Sequence, residues 1–85
     1  MMSMPSRDLI PFDRPVTYRI SVQGQVDPSW SDLLQGMTIY PANVEVDPPV
    51  TTLEGELSDQ AALAGVLNTL YEWHLPVLLV KCLEI

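Results

Sequence analysis

The residues able to do chemistry in this chain are few. There is one histidine, His74, and one cysteine, Cys82, set against eleven acids and four bases in 85 residues. A lone histidine rules out a histidine-rich metal site, and a mixed site from His74, Cys82 and carboxylates is the weaker reading beside His74 as a helix C-cap, where an imidazole suits the negative end of the dipole. Cys82 falls in an apolar run, where a free cysteine acts as a small buried hydrophobe. A reactive thiolate needs nearby positive charge, and only Lys81 adjoins it. Asp27, Asp32, Asp47 and Asp59 form no evident acid–base pair. Asp27 and Asp59 are better placed as helix caps. No Ser-His-Asp set, phosphate-binding P-loop or calcium loop is present. The expectation is a protein with no catalytic residues, no metal and no cofactor.

The elements that would position these residues follow from periodicity. Prolines at 5, 11 and 15 mark residues 1–15 as an extended or mobile tail, and residues 16–85 form the domain. Val16 to Gly24 alternates strictly, with Val16, Tyr18, Ile20 and Val22 on one face and Thr17, Arg19, Ser21 and Gln23 on the other. That is a strand with one buried side. Asp27-Pro28 opens a two-turn helix carrying Trp30, Leu33 and Leu34 on one face, with Gly36 as its stop. Met37 to Tyr40 reads as a short strand. Residues 41–50 read as a loop and Thr51 to Leu57 as a third strand. A second helix runs from a Ser58 or Asp59 cap to about Trp73. Leu63, Val66, Leu67 and Leu70 form its stripe, and Trp30, Tyr71 and Trp73 read as core. At its end His74 fits the left-handed position of a Schellman cap, with Leu75 folding back on Leu70 and Pro76 preventing continuation. Val77 to Leu83 is the last strand, apolar on both faces but for Lys81.

The order β-α-β-β-α-β with right-handed crossovers predicts an α+β fold, the ferredoxin-like sandwich. Its four-stranded antiparallel sheet, in the order 4-1-3-2, carries both helices on one face. The last strand would then be a rim.

Two segments carry a family resemblance. Ser21-Val22-Gln23-Gly24-Gln25-Val26-Asp27-Pro28-Ser29-Trp30 and Asp59-Gln60-Ala61-Ala62-Leu63-Ala64-Gly65-Val66-Leu67 resemble a family of very short, uncharacterised bacterial proteins. Its members share a VQG-x-hydrophobic-D-x-x-W stretch and a DQAAL-x-G-x-L helix. The resemblance spans roughly residues 17–83 and implies the fold but no reaction. The chain departs from that pattern in its longer N-terminal tail, and in His74 where Gly or Asn is expected. The Val22-Gln23-Gly24 triplet also resembles the phosphate cradle of acylphosphatases. That activity needs an arginine just after the triplet, whereas Gln25, Val26, Asp27 and Pro28 follow here. Asp27 would set a negative charge where the anion should bind.

A net charge of −7 disfavours nucleic acid and anionic membrane surfaces as partners. No signal-like stretch is visible, the longest apolar run is short of a span, and a single cysteine allows no intrachain disulfide. The expected setting is cytoplasmic. The face away from the helices holds Thr17, Arg19, Ser21, Gln23, Thr52, Glu54 and Glu56, with Val77, Leu79, Lys81 and Leu83 from the last strand. No aromatic residue stands at the central positions where RNA-binding members of this fold stack bases. The candidate interface is Arg19, Glu54, Glu56, Val77, Leu79, Lys81 and Leu83. At this size folding buries only roughly 60–65% of the unfolded surface. An apolar rim in so small a domain invites pairing. The sequence therefore points to a non-enzymatic protein-interaction module that self-associates, as a dimer first. The alternative is a regulatory domain that senses a small ligand at a dimer interface.

Overall fold

The computed structural model describes residues 15–43 and 45–83. The expected tail, residues 1–14 of it, lies outside them.

Strand β1, Val16–Gln23, alternates between buried and half-buried positions along its length, as its period-two pattern requires. It pairs antiparallel with β3, Val50–Leu57, on one side and with β4, Val77–Cys82, on the other. The short β2, Thr38–Tyr40, pairs antiparallel with β3. The sheet order is β2-β3-β1-β4, which reads β4-β1-β3-β2 from the other rim. The molecule is thus an α+β domain with a four-stranded antiparallel sheet and two helical segments. β1 and β3 are central, and β2 and β4 are rims.

The core lies between one sheet face and the helical layer. Val16, Tyr18, Ile20 and Val22 from β1, Leu53 and Leu57 from β3, and Ile39 from β2 meet Leu34, Val66 and Leu70. Tyr18 is satisfied where it is buried, because Gln60 Nε2 donates to its Oη at 2.9 Å. Gly55 sits opposite Tyr18, and a Cβ there would come 3.0 Å from the Cα of Met37. Only glycine lets the chain entering β2 approach so closely.

The α-helix of the described residues, α1, is Gln60–Glu72. Its cap is Asp59, whose carboxylate accepts from the Ala62 N–H at 2.8 Å. Its exit is a Schellman cap. His74 has φ 60°, its N–H donates to the Tyr71 carbonyl at 3.0 Å, and the Leu75 N–H donates to the Leu70 carbonyl at 3.1 Å. The buried positions are Val66 and Leu70, with Ala62, Leu63, Leu67 and Trp73 half-buried beside them.

The first helix departs from the α-helical expectation. Pro28–Leu34 is a 3₁₀ helix capped by Asp27, and it ends on Gln35 at φ 59° followed by Gly36 at φ 77°. The tighter winding has a direct consequence. At three residues per turn, positions i and i+3 eclipse and i+4 turns away. Trp30 and Leu33 therefore share one column, while Leu34 shares another with Ser31. Leu34 enters the core, and Ser31 Oγ donates to the Met37 carbonyl at 2.6 Å. Trp30 and Leu33 are left 44% and 60% exposed, and Tyr71 on α1 is 77% exposed. The reading of Trp30 and Tyr71 as core is corrected: α-helical spacing does not hold in a 3₁₀ segment, and Tyr71 follows the buried Leu70 onto the outer side of α1.

Candidate interface: the open sheet face and the β4 rim

One face of the sheet carries no helix among the described residues. Across it, the register aligns side chains in rows. Lys81, Arg19, Glu54 and Thr38 form one row, and Leu79, Ser21, Thr52 and Tyr40 form the next. Arg19 Nε donates to Glu54 Oε2 at 2.9 Å. Both side chains remain partly in solvent, so the pair is worth about 0–1 kcal/mol. Glu56 lies opposite Thr17, and the Leu83 N–H donates to the Thr17 carbonyl at 2.9 Å. Arg19, Glu54, Glu56, Leu79, Lys81 and Leu83 are thus brought to one surface. Tyr40 belongs there too. The sequence reading omitted it because a three-residue strand shows too little alternation to assign faces.

Val77 does not join them. Ser21 pairs with Leu79 but Val22 pairs with Val77, so Leu78 is an extra residue in β4. This bulge turns Val77 to the side of the buried Val22. The placement of Val77 on the open face is therefore corrected, and the cause is a register shift that strict alternation cannot reveal.

β4 itself is the unusual element. Val77, Leu78, Leu79 and Val80 are each between 39 and 52% exposed. Val80 stands opposite Ile20, which is fully buried, yet Val80 itself stays 41% exposed although α1 reaches β4. No described strand pairs with its outer side. Rim strands usually carry charges or prolines that discourage pairing. Here one charge, Lys81, stands among six residues.

The residues first considered for chemistry have structural partners or lie apart. The Gly24 N–H donates to the Pro49 carbonyl at 2.8 Å and the Gln23 N–H to the Pro76 carbonyl at 2.9 Å. Thr51 Oγ1 donates to the Gly24 carbonyl at 2.6 Å. The Val22-Gln23-Gly24 turn thus spends these two amides on the fold and holds neither for an anion. Asp27 caps the 3₁₀ helix and His74 closes α1. Among the described residues no group of three or more His, Cys, Asp and Glu is placed to hold a metal ion. No helix of the described residues is long and apolar enough to cross a membrane.

Fold and surface together define a small α+β domain whose distinguishing feature is an exposed apolar rim that no described strand covers. The chain belongs to a family described as a domain of unknown function, DUF8691, whose model matches residues 17–81. That span takes in all four strands except Val16 at the start of β1 and Cys82 at the end of β4. No curated protein and no solved structure matches the chain.

Proposed function

We propose that this protein is a non-enzymatic interaction module of ferredoxin-like design that self-associates as a dimer through its open sheet face and β4. One observation carries the reading: β4 is apolar on both faces and exposed, and among the described residues it is paired along one side only. Each chain offers the same strand, so two copies can add edge to edge about a two-fold axis, continuing the sheet with main-chain hydrogen bonds. Burial of exposed valine and leucine side chains drives the contact, at about 25 cal/mol per Å² removed from water. The open face flanks that seam, where Leu79 and Lys81 border the Arg19–Glu54 pair. The single cysteine fits a reducing, cytoplasmic setting.

Light scattering at micromolar concentration tests the reading. The wild-type chain is expected at twice the monomer mass, and Leu79→Lys with Val80→Lys at the monomer mass with unchanged circular dichroism. A wild-type chain that stays monomeric, or a double variant that stays dimeric, overturns it.

A further inference from the structure

The helical side carries a groove that pairing through β4 leaves free. Its centre is a cleft of about 620 Å³ between the 3₁₀ helix and the end of α1, with Trp30, Leu33 and Trp73 in its walls. A second depression of about 460 Å³ shares Trp30 and extends to Asp27. A third, of about 330 Å³, shares Leu75 with the central cleft and extends to Tyr71. The three adjoin through Trp30 and Leu75, a largely apolar row of depressions running from Asp27 to Tyr71. The two indoles touch, with centroids 5.1 Å apart and planes at 60°.

We propose that this groove binds an extended apolar segment of a partner protein that carries an arginine or lysine. Shape and wall chemistry set the first part. A row of adjoining depressions suits a chain rather than a compact molecule, and an exposed indole, a half-buried one and a phenol accept prolyl and aliphatic side chains. Charge sets the second. Among the described residues, every charged side chain of the turn after β1, the 3₁₀ helix and α1 with its cap is acidic: Asp27, Asp32, Asp59 and Glu72. The described cations, Arg19 and Lys81, stand on the opposite, open sheet face. Asp27, at one end of the groove, is held in place: its Oδ1 accepts both the Ser29 N–H and the Ser29 hydroxyl at 2.9 Å. Those bonds hold its carboxyl below the usual range, so it is charged at neutral pH. Trp30 lines the same depression as Asp27, so a cation held by that carboxylate would lie beside an indole.

Both tryptophans of the chain line the groove, so their emission reports on it directly. The test titrates the full chain with an amidated synthetic peptide of prolines and leucines bearing two arginines. A control peptide has glutamates in their place. The expected result is a saturable blue shift with the arginine peptide and at least a tenfold weaker response to the glutamate peptide. Asp27→Asn, which keeps the cap but removes the charge, is expected to weaken binding several-fold with an unchanged melting temperature, and Leu33→Ser to weaken it further. Absence of a saturable shift, or equal affinity for both peptides, overturns the proposal. So does a matching shift with tetramethylammonium alone, which would make the site one for small cations. Binding that appears only after deletion of residues 1–14 also overturns it, since the groove would then serve the chain's own segment. None of these outcomes depends on the dimer measurement above.

Discussion

Tyr18 is the titratable member of the buried face of β1, and its chemistry follows from that position. Burial raises its phenol above the ordinary value of 10.0 and the neighbouring Cys82 adds to the rise, while the hydrogen bond from Gln60 acts against both. A raised folded value means the neutral form is favoured in the native state. Its contribution to stability is full below pH 10.0 and is lost as pH climbs through the folded value. In a phenolate absorbance titration, one of the three tyrosines is expected to ionise late and together with unfolding. Tyr18→Phe should abolish that late step, at a cost of about 1 kcal/mol at neutral pH from the lost hydrogen bond. A late step that persists in the variant would assign it elsewhere. Asp59 permits a second residue-level measurement. Its carboxylate takes the Ala62 amide at the start of α1, so Asp59→Ala is expected to lower unfolding free energy by about 1 kcal/mol in urea, and Asp59→Asn by much less.

At the scale of elements, the close approach at Gly55 is the most sensitive point. A side chain there meets the backbone of Met37 rather than a movable side-chain tip. Gly55→Val is therefore expected to cost about 1–3 kcal/mol by forcing β2 away from β3, despite the better strand propensity of valine. A chemical-denaturation midpoint equal to wild type would show that the segment before β2 yields freely. The 3₁₀ helix illustrates how winding selects which residues face out. Two large apolar groups lie in one column away from the core, and the groove exists because of that column.

For the whole molecule, charge and size act in opposite directions. A domain this small gains from burying the β4 rim, while −7 on each copy resists the approach of two copies. Salt should tip that balance. Between about 10 mM and 0.15 M ionic strength the screening length falls from about 30 to about 8 Å, so the dimer dissociation constant is expected to drop several-fold. Sedimentation equilibrium across that range measures it. A constant that rises with salt would mean that specific ion pairs, rather than apolar contact, hold the copies together.

Local rules governed everything legible in the chain itself. Alternation in Val16–Gln23 assigned a buried and an open face, Asp27 and Asp59 marked helix starts, and His74-Leu75-Pro76 marked a helix end. Each depends on neighbours within a few residues, so the chain alone determines it. Tertiary packing decided the rest. Whether Pro28–Leu34 winds as an α- or a 3₁₀ helix depends on Leu34 reaching the core and Ser31 reaching Met37. The bulge at Leu78 arises where β4 meets β1, and it moves Val77 to the other side of the sheet. The exposure of β4 follows from its place at the rim of the sheet, and the Trp30–Trp73 contact joins two residues more than forty positions apart in sequence. Pattern reads the face of an element, but only the assembled layers determine which faces another element covers.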